Sequence, residues 1–355
     1  MKKILFITAF PPNSKSGGQF LTVNLLHELS KQFSIDLIYF KFNNHNINND
    51  LPVGSIESYR ISKYDWLRNI IIYPLFTRRF NKKILNHIKA IAHTYDILFF
   101  DYSQVALYSK YLNHPYKILR MHDVIFQKIL RENKWLKYWI KQSEGRLLKY
   151  FNKIFVLSEK DVSIVKREYG VLAHCVREKI INFNFYETTI NAKSFIFIGL
   201  WTRKENLDGL IWFMENVYHH IANKSKIQFL IVGDGLDETI KKRYIDLHNN
   251  MSYLGFIENP LDIIYKSSAV IAPLFRGAGV KIKVIDAFTT GTPVIGTKIA
   301  FEGLPTIKNL NYLAESPQDY VDIICNFKDQ SYLEKQKNST EFKNMYTDQS
   351  LSDIL

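Results

Sequence analysis

The chain has 355 residues, more than one hydrophobic core usually organises, so two domains are expected. At 46% hydrophobic and 14% aromatic residues it has a globular composition and excludes a disordered chain; Cys175 and Cys325, far apart and in no C-x-x-C pattern, speak against a disulfide framework or a cysteine-based zinc site and fit a reducing cytoplasm. The net charge of +13 is lopsided, with 29 Lys and Arg against 14 Asp and Glu in residues 1–185 and 18 against 20 in the rest, which turns the first half toward an anionic partner, either nucleic acid or a membrane surface.

The opening MKKILFITAF carries two lysines and a short apolar run that meets Pro11 and Pro12 with no small-residue cleavage site behind it. It predicts a buried strand at 3–9 rather than a signal peptide. In the loop that follows, Gly17 and Gly18 let the backbone approach a ligand before a helix that begins near Gln19 with Leu21, Leu25, Leu26 and Leu29 on one face. A strand is expected at 34–40. The segment 66–93 then mixes Arg68, Arg78, Arg79, Lys82 and Lys83 with Trp66, Ile71, Ile72, Tyr73 and Phe76, an interfacial composition that predicts docking on an anionic leaflet. No run reaches the 18 or more apolar residues of a spanning helix. Further strands are expected at 96–101, 117–122 and 153–158, the second of which ends on His122, with Asp123 beside it to fix a tautomer.

A polar, irregular linker at 181–194 separates these strands from a second series at 194–199, 227–233, 251–255, 269–274 and 293–297. Continuous apolar strands alternating with helices predict two doubly wound α/β domains, with ligands at the carboxyl ends of the parallel strands. Arg203 and Lys204 follow the first strand of this series, and Gly233 and Gly235 the second. The stretch GAGVKIKVIDAF (277–288) is the most informative. Gly277, Ala278 and Gly279 bare the backbone where a helix is expected to start, and the macrodipole there favours an anion. Lys281 and Lys283 oppose that dipole unless a multiply charged anion such as a diphosphate neutralises them. Asp286, two turns further on, suits the paired hydroxyls of a ribose. Beyond 330 two polar helices are expected.

Together with FIGLWTRKENLDGLIWF (197–213), LIVGDG (230–235) and the entry loop before Gly17, this stretch resembles the family 4 glycosyltransferases, also described as glycosyl transferases group 1, of GT-B fold. The resemblance covers most of the second half and, more loosely, the first. It implies two Rossmann-like domains facing a central cleft: a basic acceptor and membrane domain (1–185), a donor domain (186–335), and a helical tail (336–355) returning to the first. It implies transfer of a sugar, with retention, from a nucleotide diphosphate-sugar; joined to the basic segment at 66–93, the expected acceptor is a glycan or lipid-linked sugar of a bacterial surface polysaccharide, and the expected location the cytoplasm, peripheral on the inner face of its membrane. No metal or other cofactor is implied, and no D-x-D motif occurs. Carried over, Gly277, Gly279, Lys281 and Lys283 hold the diphosphate, and Asp286 takes the ribose where such enzymes usually have Glu. Gly17 and Gly18 line the cleft, Gly233 and Lys204 serve the donor, and His122 approaches the sugar while Arg203 joins Lys281 at the leaving group. Two positions depart from the pattern, Ala278 where many members have Glu and Glu205 where they have Lys. An epimerase of the same fold is the alternative enzyme. A basic binding protein with a vestigial cleft is the alternative without catalysis, though no helix-turn-helix, RNA-recognition or zinc pattern supports nucleic acid.

Overall fold

The computed structural model describes residues 1–13, 17–41, 47–48, 50–60, 73, 75–131, 136–177, 183–187, 193–221, 224–346 and 351. The chain forms two compact units, Met1–Glu178 with Asp348–Leu355, and Lys179–Thr347.

The first unit is built on seven parallel strands: β1 (Lys2–Thr8), β2 (Phe33–Lys41), β3 (Ser55–Arg60), β4 (Ile97–Asp101), β5 (Lys117–Met121), β6 (Lys153–Val156) and β7 (His174–Cys175). They lie in the order β3-β2-β1-β4-β5-β6-β7. Its helices are α1 (Gly17–Leu29), α2 (Lys82–Ile91), α3 (Ile125–Arg131), α4 (Lys137–Leu148) and α5 (Glu159–Tyr169). Both sheet faces are buried, as the apolar runs require: along β1, Ile4 and Phe6 enter one core with Leu25 and Leu29 of α1, while Leu5 and Ile7 enter another with Ile84 and Ile88 of α2. Each such side chain contributes about 1.5–3 kcal/mol by leaving water.

The second unit repeats the plan with six strands: β8 (Lys193–Ile198), β9 (Ile227–Val232), β10 (Met251–Gly255), β11 (Ala269–Ala272), β12 (Val294–Gly296) and β13 (Asn311–Leu313), in the order β10-β9-β8-β11-β12-β13. Its helices are α6 (Lys204–Asn216), α7 (Glu238–Tyr244), α8 (Leu261–Lys266), α9 (Ile282–Thr289), α10 (Pro317–Asn326) and α11 (Tyr332–Met345). Phe195 and Phe197 of β8 face one core and Ile196 the other. In both sheets the strand order reverses beside the first strand, between β1 and β4 and between β8 and β11. Crevices of doubly wound sheets open at that point, at the carboxyl ends of the strands.

The fold departs from expectation in four places. Strands β3, β7 and β13 have no counterpart in the expected series. The helix expected from Gly277 begins instead at Ile282, with Lys281 as its N-cap. Beyond 330 the described residues hold one long helix, α11. In the basic segment, Tyr73 and Phe76 are core residues, and Arg79 is buried, its Nε donating to Ala9 O (2.7 Å) with the guanidinium 4.3 Å from the Phe10 ring centroid. Those three are therefore unavailable to a membrane; Trp66, Arg68, Ile71 and Ile72 lie outside the described residues. No described helix is long and apolar enough to cross a bilayer.

Candidate active site

In the second unit, the loop after β8 leads into α6 and the loop after β11 into α9. Glycines fit these loops together. A Cβ on Gly209 would lie 2.3 Å from Pro273 O, so its absence lets α6 lie against the β11 loop. Asn206 of α6 then joins the two helices: its Nδ2 donates to Leu200 O (3.0 Å) and its Oδ1 accepts from Lys283 Nζ (2.8 Å). Arg276 and Asp208 pair at 3.1 Å across the same junction.

This packing gathers cations. Lys281 folds its Nζ back onto Ala278 O (3.3 Å) and Gly279 O (2.5 Å), a curl made possible by the positive φ of Gly277 (105°) and Gly279 (70°). Burial pushes the half-buried Lys283 down to about 7; Glu205 works against that shift, while Lys281 and Arg203 add to it. Arg203 is the N-cap of α6 and lies 3.9 Å from Glu205. Glu205, where the resemblance expects Lys, thus stands among the cations as their counter-charge. Lys204 is exposed at the first position of α6. Asp286 is partly buried, its carboxylate has no hydrogen-bond partner among the described residues, and it is pushed up to about 7 by burial. No side chain caps α9, whose amino end faces the loop of Gly277 to Gly279. The arrangement sets Lys281, Lys283 and an uncapped helix amino end close together, with a carboxylate one helical turn behind Lys283.

Gly233 has a more structural task than the sequence suggests. With φ at 122°, its missing Cβ would lie 1.8 Å from Gly199 O, so it lets the loops after β8 and β9 meet; Gly235 faces Thr202 in the same way.

In the first unit, β4 and β5 end beside the start of α1. Asp101, wholly buried at the end of β4, accepts on Oδ1 from Arg120 Nε (2.7 Å) and His122 Nε2 (2.9 Å), and on Oδ2 from Thr22 Oγ1 (2.6 Å) and Thr8 Oγ1 (3.2 Å). Burial alone would raise its pKa, but Arg120 and His122 hold it well below the usual carboxylate range. His122 is itself held below its usual value, chiefly by burial. A neutral imidazole beside an ionised carboxylate keeps its proton on Nε2, leaving Nδ1 as an acceptor. That atom is buried and has no partner among the described residues. Tyr102 lies flat on the ring, centroids 3.6 Å apart, at the unusual φ of 73°. A Cβ on Gly18 would lie 2.8 Å from Tyr102 Oη and 3.7 Å from His122 Nδ1. Gly18 therefore leaves open the space that Nδ1 faces; Gly17 is the first residue of α1.

Residues 192–329, which contain these cations and Asp286, match the family model for glycosyl transferases group 1. The second unit is a group 1 glycosyltransferase domain. Over nearly the full length the chain has the GT-B fold. It superposes on TarM of S. aureus (13% identity, 98% of this chain and 97% of that one, TM-score 0.72). It also matches a sucrose-phosphate synthase of Thermosynechococcus elongatus (13%, 96% and 95%, 0.70) and HepE of Anabaena in complex with UDP and glucose (13%, 98% and 96%, 0.69). A 44.6 kDa protein of the cps region of Klebsiella pneumoniae is 26% identical over 227 residues, so the matched part spans 58% of that relative and 58% of this chain.

Within the glycosyltransferase domain, the expected residues Lys281, Lys283, Arg203, Gly277 and Gly279 come together, with Asp286 along the same helix. In the first unit His122 and Gly18 come together. The sequence reading passed over Asn206, Glu205's part as counter-ion, and the quartet of Thr22, Asp101, Tyr102 and Arg120. A signal for the last was present: an arginine inside KILRMH and an aspartate closing DILFFD are charges where buried strands tolerate none without a partner.

Proposed function

We propose that the protein transfers a sugar from a nucleotide diphosphate-sugar to a glycan or lipid-linked acceptor in the assembly of a bacterial surface polysaccharide. The observation that carries the reading is the gathering of Arg203 at the amino end of α6 with Lys281 and Lys283 at the amino end of α9, joined through Asn206, inside the domain that matches the glycosyltransferase family. The diphosphate is held there, and the Asp286 carboxylate accepts from the ribose hydroxyls. HepE was solved with UDP and glucose, and TarM with UDP and α-GlcNAc-glycerol, which supports a uridine donor and a hydroxyl acceptor. The cps-region relative supports a surface polysaccharide.

In the proposed reaction the bond between the anomeric carbon and the diphosphate oxygen breaks, and the acceptor oxygen bonds to that carbon on the same face, with retention. The acceptor's proton passes to a phosphate oxygen, so no protein nucleophile is required. Lys281, Arg203 and the helix amino end stabilise the charge that develops on the leaving diphosphate. His122 Nδ1 accepts from a sugar hydroxyl.

The test is a thermal-shift screen against UDP, GDP, ADP and CMP, free and sugar-linked, with EDTA present. Ligand at a hundred times its dissociation constant adds about 2.7 kcal/mol, a shift of several degrees. One base is expected to stand out. No shift with any nucleotide at millimolar concentration would end the reading.

A further inference from the structure

The first unit carries a surface that the transfer reaction does not use. Helix α4 buries Ile140, Ser143, Glu144, Leu147 and Leu148 and turns its other face to solvent. On that outer face Tyr138 is 68% and Trp139 50% exposed, and Leu130 at the end of α3 is 48% exposed. Tyr138 and Trp139 are consecutive on α4, and large apolar side chains exposed next to each other mark a docking surface more often than an accident of packing. Lys141, Arg146 and Lys149 share a recess with Tyr138, and Lys137 Nζ lies 5.4 Å from the Tyr138 ring centroid. Glu144, the one acid within α4, is turned inward, where it accepts from Ile125 N and Phe126 N. Among the described residues, Glu168 of α5 is the acid in the adjoining recess, and it is engaged by Lys141 (2.7 Å) and Arg167 (2.7 Å). Between α4 and α5 lies a shallow recess of about 420 Å³ lined by Lys141, Arg146, Lys149 and Tyr169, among others.

We infer that the outer face of α4 docks the protein on an anionic phospholipid surface. The chemistry is divided as interfacial helices divide it: Tyr138, Trp139 and Leu130 enter the headgroup boundary while the cations meet lipid phosphates. The choice of occupant follows from charge, because a second copy of this chain would set the same cations against each other. Placement agrees with it. The α3–α4 hairpin leaves β5 just after His122, so docking by this face brings the acceptor side of the first unit to the leaflet that a lipid-linked acceptor occupies. Only that last use depends on the proposed transfer; docking itself requires no substrate.

The test is sedimentation with phosphatidylglycerol–phosphatidylcholine vesicles and with pure phosphatidylcholine vesicles, at low and high salt. UDP-induced thermal shifts are measured on the same preparations. The native chain is expected to sediment with anionic vesicles at low salt and to be released by high salt. Each cation near such a surface is worth about fivefold in partition, so Arg146→Glu with Lys149→Glu lowers binding at least about 25-fold. Tyr138→Ser with Trp139→Ser weakens it while leaving the nucleotide response unchanged, since both side chains belong to the first unit and the cations of α6 and α9 to the second. Failure of the native chain to bind anionic vesicles, binding unaltered by either pair of substitutions, or a dimer in ultracentrifugation that Trp139→Ser dissolves would each overturn the inference. A lost UDP response with intact vesicle binding would instead strike at the proposed reaction.

Discussion

Lys283 and Asp286 lie one turn apart on α9 and are both displaced to about 7, each chiefly by burial. Asp286 has an elevated pKa and ionises only as the pH rises through 7. Lys283 has a depressed pKa and loses its charge over the same range. A ligand needing both the carboxylate and the ammonium therefore binds best near pH 7, and calorimetry should show nucleotide affinity falling on either side. Lys283→Arg, which stays charged, should remove the alkaline fall, and Asp286→Asn the acid one. Lys281→Ala removes a charge-assisted phosphate contact worth about 2 kcal/mol, roughly thirtyfold in nucleotide affinity. Glu205 has the opposite sign. As a carboxylate beside the cations it repels a diphosphate, so Glu205→Gln should tighten nucleotide binding about fivefold, on the order of 1 kcal/mol; unchanged or weaker binding would mean that Glu205 chiefly holds Arg203 and Lys283 in place.

At the scale of elements, the lesson lies in what makes a segment visible. Strands β1, β2, β4, β5, β8, β9 and β11 are buried on both faces, so each is an apolar run that stands out in the chain. β3 is an edge strand with exposed and half-exposed residues, SIESYR, while β7 and β13 span two and three residues; none buries enough to leave a pattern. The start of α9 is displaced for a related reason. Glycines at 277 and 279 signal backbone freedom, but their positive φ places them in a loop that must finish turning before a helix begins. Residues joined across the fold, such as Asn206 with Lys283, leave no local trace at all. α11, polar along its length, is fastened through buried polar groups: Lys335 Nζ donates to Tyr265 O, Ser267 O (2.8 Å) and Thr292 Oγ1 (3.3 Å), and Ser339 Oγ to Thr289 O (2.6 Å) at the end of α9. Lys335→Met would leave those carbonyls unpaired at about 1–3 kcal/mol each. Its expected outcome is a melting temperature for the second unit lower by several degrees.

Across the whole molecule, the two sheets carry their chemistry at equivalent points of the same plan, but the chain does not divide cleanly in sequence. Leu351 follows α11 and is buried in the first unit's core with Ile4, Phe6, Leu26 and Phe99. Shortening it leaves a cavity, and Leu→Ala substitutions in cores cost about 2–5 kcal/mol. The cost falls on the first unit, although the residue lies closest in sequence to a helix of the second. Leu351→Ala should therefore lower the unfolding temperature of the first unit, followed by hydrogen exchange in β1 and β4, while the nucleotide-induced protection of α9 persists. Loss of protection in both units together would show that they unfold as one cooperative body, in which the tail's anchor supports the anion site as well.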